Sequence, residues 1–163
     1  MPISEYLRNL RSKIGHDPVL IPGVTAVVFN DAGQVLLQRS REDGRWYVPG
    51  GAMDPDEHPA EAVVREVQEE SGLHVEPRRL IGVYAEEPVK YANGDVVHYV
   101  STAFACGVVG GILGVGDDES LELRFFAPDA LPELLPMHRA RVDHALAGEG
   151  GANFFWKGTW QRS

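Results

Sequence analysis

The chain is poor in cysteine and has no long apolar run. Cys106 is the only cysteine in 163 residues, so neither an intramolecular disulfide nor a zinc site with a second thiolate is available. No run of about 18 apolar residues exists, and this excludes a spanning helix of ordinary composition. Residues 1–13 carry charges throughout and lack the apolar centre of a signal peptide. We therefore expect a cytoplasmic protein that does not bind membranes.

Basic residues are also scarce. The chain has 15 Lys and Arg against 24 Asp and Glu, which gives a formal net charge of −9. A broad nucleic-acid-binding face needs clustered basic residues, so this balance argues against nucleic acid as a partner. It also argues against a phosphorylated ligand, unless cations lie between the ligand and the protein.

The length suits one domain, 1–163, with an N-terminal helical extension over 1–22 and a glycine-rich joint with an aromatic tail over 148–163. Hydrophobic periodicity and turn residues predict helices over 4–13, 59–70 and 137–146, and strands over 24–29, 34–39, 79–86, 96–109 and 121–127. Five glycines between Gly107 and Gly116 indicate a flexible turn. This mixture predicts a layered α/β or α+β domain with a helix packed on a mixed sheet.

The segment from Pro59 to Gly72 has the signals of a helix with defined ends. Pro59 suits the first helical position, where its missing N–H is not needed. Gly72 suits the C-terminal cap, where a left-handed residue is favoured. The helical spacing predicts an apolar stripe facing the sheet, made of Ala60, Val63, Val64 and Val67.

Three carboxylates crowd one arc of this helix beside the apolar stripe. Glu66, Glu69 and Glu70 are like-charged neighbours near the helix C-terminus, where repulsion and the helix dipole both oppose them. A solvated acidic face is the ordinary interpretation of such a pattern. A divalent cation with a preference for oxygen ligands would instead convert the repulsion into ligation. Arg65 lies on the neighbouring arc and is either a tether for one carboxylate or a plain surface ion pair.

The segment Gly51–Leu73, GAMDPDEHPAEAVVREVQEESGL, resembles the Nudix box. Every fixed position of that box is filled, by Gly51, Glu57, Arg65, Glu66, Val67, Glu69, Glu70, Gly72 and Leu73. The approach from Trp46 to Gly51 is also similar to the family, and the whole resemblance covers about residues 23–146. Asp56 is a departure, because many members have glycine there.

This resemblance implies an α/β/α sandwich that hydrolyses a diphosphate bond in a nucleoside diphosphate linked to another group. Carried over by position, Glu66, Glu69 and Glu70 hold Mg²⁺, or Mn²⁺ in its place, and activate water. The carbonyl of Gly50 is a further metal ligand, and Glu57 joins or supports the metal shell. Arg65 orients a glutamate, so Glu66, Arg65 and Glu69 form the catalytic set, with the general base left open.

Other charged residues are weaker candidates. Members of the family often use an acidic residue from outside the box, and Glu119 and Glu122 are the candidates here, although Glu119 fits a solvated loop equally well. Arg39 is the preferred candidate for binding substrate phosphates, whereas Arg41, Arg45 and Lys90 fit solvated surface charges. The six histidines show no metal spacing, and Cys106 suits a buried small hydrophobe.

The substrate is left open between ADP-ribose, a dinucleoside polyphosphate and a nucleoside triphosphate. Pro88 matches a feature of ADP-ribose-type members, whereas Tyr91 matches a feature of diadenosine polyphosphate-type members. A Nudix-fold sensor that binds a nucleotide metabolite without cutting it is the rival hypothesis. Such modules often lose box carboxylates, so the presence of all three favours the enzyme. A homodimer is also left open.

Overall fold

The computed structural model describes residues 4–116, 118–148 and 151–153. The helices are α1 (Glu5–Ile14), α2 (Pro59–Ser71) and α3 (Pro136–Leu146), and a 3-10 turn covers Pro128–Ala130. The strands are β1 (Val19–Phe29), β2 (Val35–Ser40), β3 (Trp46–Tyr47), β4 (Gly50–Ala52), β5 (Leu73–Ala85), β6 (Val89–Lys90), β7 (Val96–Gly111) and β8 (Ser120–Phe126).

The described strands form one mixed sheet around β1. The main path is β3-β2-β1-β7-β5, with β4 paired to β1, β6 to β7 and β8 to β2. β1 runs parallel to β7 along its whole length, from Val19 opposite Val97 to Phe29 opposite Gly107. Its pairs with β2 and β4 are antiparallel. The predicted mixed sheet is therefore confirmed.

A separate apolar core lies on each face of the sheet, because alternate residues of a strand point to opposite faces. On one face, β1 contributes Val24, Ala26 and Val28, which pack with the valines of α2. On the other face, Val27 packs in a cluster that includes Val142 of α3. Helices thus cover both faces, and the α/β/α sandwich implied by the resemblance is confirmed.

Helix α2 has the predicted ends but a different buried side. Pro59 is in the first turn, and Gly72 caps the helix in the left-handed conformation at φ 70°. The buried apolar residues are Ala62, Val63 and Val67, whereas Ala60 is exposed. The predicted stripe was wrong at Ala60 because the helix also turns Glu66 and Glu70 inward, which moves the buried arc away from position 60.

Elsewhere three strands are longer than predicted. β1 begins at Val19, β5 begins directly after the cap of α2, and β7 continues to Gly111, so the turn predicted over 107–116 is confined to residues 112–116. The predicted aromatic tail falls almost entirely on residues 154–163, outside the described part of the chain. Within that part, no helix has the length and apolar composition needed to cross a bilayer.

Candidate active site

Helix α2 buries two of its clustered carboxylates and leaves the third accessible. Glu66 is fully buried and Glu70 is 4 % exposed. The side chain of Glu69 is about half exposed, at 47 %. Since an ionised carboxylate is costly to bury without partners, Glu66 and Glu70 need compensating contacts.

Arg65 supplies contacts to three glutamates. Its Nε donates to Glu57 Oε1 at 2.6 Å and its Nη2 to Glu57 Oε2 at 2.9 Å, a forked pair. Its Nη1 donates to Glu66 Oε1 at 2.9 Å and to Glu69 Oε2 at 3.4 Å. Nη2 also donates to the carbonyl of Ala52 at 3.2 Å. One planar guanidinium therefore fixes the positions of carboxylates from two segments.

These contacts and the burial of the side chains shift the pKa values of the cluster. The hydrogen bonds from Arg65 lower the pKa of Glu57. Burial raises the pKa of Glu66 to about 7, although Arg65 acts in the opposite direction. The hydrogen bond to Glu57 is the main cause that raises the pKa of Arg65 further above its usual value. The guanidinium therefore stays charged, and its neutralisation falls mainly to Glu57.

Two glycines allow β4 to lie against the buried carboxylates. A Cβ on Gly51 would come within 2.5 Å of Glu66 Oε2, and a Cβ on Gly50 within 2.2 Å of the carbonyl of Val24. The N–H of Gly50 donates to Glu70 Oε2 at 3.2 Å, and Gln38 Nε2 donates to Glu70 Oε1 at 3.2 Å. At Gly50 the close atoms belong to the backbone, so space alone requires glycine there, whereas a side chain at Gly51 would have to displace the carboxylate of Glu66.

The loop before α2 turns at the residue that departs from the family pattern. Asp56 has φ 68°, and it is the one non-glycine residue with positive φ in the described chain. The N–H of Glu57 donates to the carbonyl of Asp54 at 3.4 Å, which closes the turn. This conformation favours glycine, and Asp tolerates it better than most residues. Asp56 therefore preserves the turn that delivers Glu57 to Arg65.

The chemistry of the cluster suits a hard divalent cation. Glu66 Oε2 is buried and has no hydrogen-bond partner, and it packs directly against Gly51, where a Cβ would come within 2.5 Å of it. Within the described residues, no three acidic, histidine or cysteine side chains converge closely enough to hold an ion as they stand. Arg65 draws Glu57, Glu66 and Glu69 to itself, so ligation requires the half-exposed Glu69 to turn. The carboxylate oxygens are the kind of donor that a hard divalent cation binds.

A cavity of about 800 Å³ extends from this cluster across the sheet. At one end, which we call the box end, it is lined by the second half of α2 and by β4, including Gly50, Glu69 and Glu70. Leu7 and Arg11 of α1 form part of its wall. The N-terminal helix is held there by Arg11, whose Nη2 donates to the carbonyl of Val96 at 3.2 Å.

The other end of the cavity is polar and was not found by sequence reasoning. It is lined by Glu86 after β5, Ser101 of β7, and His138 and Arg141 of α3. Arg141 Nη2 donates to Glu86 Oε1, which also accepts from Ser101 Oγ at 2.5 Å. Burial lowers the pKa of His138 to about 3, and the charge of Arg141 acts in the same direction. The imidazole is therefore neutral at physiological pH.

The structure separates the remaining candidates. Glu119 lines the cavity, whereas Glu122 is not among the described residues that line it and lies 3.5 Å from Arg124 as an ion pair. Arg39 also lies outside the described lining, and its Nε donates to the carbonyl of Gly44 at 3.0 Å. Glu57 likewise contacts Arg65 rather than the cavity.

Cys106 is buried, as its apolar strand predicts. Burial raises the pKa of its thiol to about 12, so it stays protonated.

Comparison with known proteins agrees with this geometry. A family model described as "NUDIX domain" matches residues 19–147. A "MutT-like protein" of Streptomyces ambofaciens is 34 % identical over 134 residues, which are 82 % of this chain and 81 % of that protein. An "ADP-ribose pyrophosphatase" of Methanocaldococcus jannaschii is 33 % identical over 138 residues, with 83 % and 77 % covered. The crystal structure of a MutT NUDIX hydrolase from Burkholderia pseudomallei superposes with TM-score 0.63 and 30 % identity, covering 77 % of this chain and 98 % of that one.

Proposed function

Because this chain belongs to the Nudix family of hydrolases, we propose that it cleaves the diphosphate bond of a nucleotide at the carboxylate cluster of α2. The observation that carries the proposal is the buried carboxylate of Glu66, whose Oε2 has no hydrogen-bond partner and packs against Gly51, a residue that lines the cavity. A buried, partly compensated carboxylate is costly unless a ligand completes it. Nudix hydrolases generally need a divalent metal, and the oxygen donors here suit one.

In our proposal the metal is Mg²⁺, with Mn²⁺ as a substitute. Glu66, Glu69, Glu70 and the carbonyl of Gly50 would hold it. The ion, when bound, neutralises charge on the phosphate oxygens and makes the acidic site attractive to an anionic substrate. This resolves the conflict between a net charge of −9 and a phosphorylated ligand.

The side chains of this chain divide the remaining work. The carboxylate of Glu69 is half-exposed and borders the cavity. We therefore assign to Glu69 the role of the base that accepts a proton from the attacking water. Arg65 positions Glu66 and Glu69, and it also lines the cavity. Glu57 keeps the guanidinium neutralised and in place.

For the substrate we propose a nucleoside diphosphate linked to another group, with ADP-ribose as the first candidate. Pro88, noted in the sequence, and the relative named ADP-ribose pyrophosphatase support this choice. Tyr91 lines the cavity and keeps dinucleoside polyphosphates as the second candidate. A homodimer, a cytoplasmic location and the absence of nucleic-acid binding remain predictions from the sequence.

The test is a panel of ADP-ribose, diadenosine polyphosphates and nucleoside triphosphates, assayed for phosphate products with Mg²⁺, with Mn²⁺ and with excess chelator. We expect turnover of at least one compound with metal and none with chelator. Full turnover in chelator would contradict the metal site. Binding without cleavage of any compound under all conditions would support the sensor instead.

A further inference from the structure

The end of the cavity opposite the carboxylate cluster contains buried donors without partners. Arg141 is 1 % exposed, yet its Nε and Nη1 have no hydrogen-bond partner. Nδ1 of the neighbouring His138 is also buried and unpartnered. Buried polar groups in folded proteins are nearly always hydrogen-bonded, and the exceptions call for an explanation. Because both residues line the cavity, a ligand in the cavity can supply the missing partners.

We propose that Arg141, Glu86 and His138 form the subsite for the nucleobase of the substrate. This inference rests on the proposed function, because it assigns one part of the nucleotide to the cavity once the diphosphate lies at Glu66, Glu69 and Glu70. It makes Arg141 a residue that binds the base, at the end of the cavity remote from the bond that breaks.

Charge favours a base over a second phosphate. The guanidinium of Arg141 is already neutralised by Glu86, which it contacts through Nη2. A further anion would meet the carboxylate of Glu86 as well as the guanidinium. A nucleobase is uncharged and presents donors and acceptors along one edge. Arg141 offers donors and Glu86 offers an acceptor side by side, which is the complement of such an edge.

The sheet geometry supplies a suitable separation. Ala52 and Ser101 pair with Gly23 from opposite sides of β1. Two strand spacings, or roughly 10 Å, therefore separate the backbone of Ala52 in β4 from the backbone of Ser101 in β7. Ser101 in turn contacts Glu86. The proposal places the ribose in the part of the cavity between β4 and Ser101, because Ala52 and Ser101 both line it.

Aromatic side chains form part of the cavity wall. Tyr91 and Tyr99 line the cavity, and their hydroxyls are hydrogen-bonded to each other at 2.9 Å. Aromatic rings are the usual surfaces against which bases stack. His138 stays neutral, so it adds a hydrogen-bonding group without adding charge.

Calorimetric titration with Mg²⁺ present tests the subsite without turnover. The probes are the nucleoside 5′-monophosphates AMP, GMP, CMP and UMP, which contain no diphosphate bond, and ribose 5-phosphate, which lacks only the base. We expect at least one monophosphate to bind tenfold or more tightly than ribose 5-phosphate. Arg141→Lys should remove at least tenfold of that monophosphate affinity and leave ribose 5-phosphate unchanged.

Two further variants keep the test decisive. Arg139→Lys is the matched control, because Arg139 lies on the same helix in an exposed ion pair with Asp143, and it should bind every probe as the unaltered protein does. Glu86→Gln keeps the size of the side chain but changes its hydrogen-bonding pattern, so it should change the order of preference among the four bases. This variant also tests the subsite if Arg141→Lys does not fold, which a thermal melt will show.

Two results would overturn the proposal. One is equal affinity for ribose 5-phosphate and all four monophosphates. The other is an equal loss for both kinds of probe in Arg141→Lys, which would place the phosphate or ribose at Arg141. Failure of the proposed function is seen separately, as the absence of diphosphate hydrolysis by the unaltered protein.

Discussion

The two ends of the cavity are built from the same pair of groups in opposite proportions. At the box end, one arginine, Arg65, contacts three glutamates. At the α3 end, Arg141 contacts the carboxylate of Glu86, lies over the ring of Tyr84 and keeps donors without a hydrogen-bond partner. The first end therefore has an excess of acceptors and suits a cation. The second has an excess of donors and suits an uncharged group with acceptors. The balance of charges, more than the residue types, decides what each end binds.

The largest effect should follow from removing charge at the acceptor-rich end. Glu66→Gln keeps the shape of the buried side chain but removes a metal ligand, so we expect turnover to fall about a thousandfold, or roughly 4 kcal/mol of activation free energy. Steady-state rates measure this. Glu76→Gln, on an exposed residue of β5, is the control and should keep its rate. If Glu66→Gln turns over normally, the carboxylate is structural.

Removing the arginine from the donor-rich end should chiefly reduce stability. Arg141→Met leaves Glu86 without its guanidinium, and breaking a buried ion pair costs about 3 kcal/mol of unfolding free energy. Chemical denaturation measures this value. Adding Glu86→Gln removes the unpaired charge, so the double variant should lose less than the two single losses combined. Additive losses would show that the two residues do not interact. Arg139→Met should stay within about 0.5 kcal/mol of the unaltered protein.

We expect a smaller effect on turnover when Arg65 at the box end is replaced by a residue of the same charge but different geometry. Arg65→Lys keeps the positive charge but loses the planar guanidinium, which binds Glu57 through two nitrogens and Glu66 at the same time. We expect turnover to fall by about ten- to a hundredfold, as for other residues that orient metal ligands. Affinity for the metal, followed by titration, should weaken in parallel. Near-normal rates together with normal metal affinity would show that Arg65 forms only an ordinary surface ion pair.

The smallest effect should appear as pH dependence at the α3 end. An unfolded chain protonates His138 below about pH 6.5, whereas burial keeps it neutral in the fold down to about pH 3. Its contribution to stability is thus present above pH 6.5 and lost as pH falls toward 3, at no more than about 1.4 kcal/mol per pH unit.

His138→Gln should therefore lose less stability than the unaltered protein between pH 7.5 and 5.5, as measured by denaturation at both values. The control is His74→Gln, at an exposed histidine, which should leave the difference unchanged. An identical pH dependence in His138→Gln and the unaltered protein would contradict a buried neutral imidazole.

The same comparison explains what the sequence could predict. Arg65, Glu66, Glu69 and Glu70 lie within two turns of one helix, so helical spacing alone brings them together. Glu86 and Arg141 lie 55 residues apart and meet only through the packing of α3 on β5 and β7. No local pattern marks such a pair. The position of Arg39 at a strand end likewise does not reveal that its Nε donates to the carbonyl of Gly44, and its role in binding substrate phosphates stays a prediction.

Glu70 shows a limit within the predicted helix itself. Its place near the helix C-terminus indicates repulsion from Glu66 and from the helix dipole. In the structure its carboxylate accepts from Gly50 and from Gln38. These partners come from strands, and the sequence of α2 contains no sign of them. Local electrostatics therefore overestimated how poorly Glu70 is compensated, and the assignment of the cluster as the site stays a prediction.

The parallel pairing of β1 with β7 has a consequence for the order of folding. Val19 pairs with Val97 and Phe29 with Gly107, so a long chain segment must close before the centre of the sheet exists. Closure of such a loop costs entropy before any contact repays it, and pairings of this kind slow folding. Helix α2 and its glutamates lie inside that loop and can form early. Because residues of β1 and β7 line the cavity, we expect nucleotide binding only after these two strands have paired, whereas the hydrogen bonds of α2 are local and need no such closure.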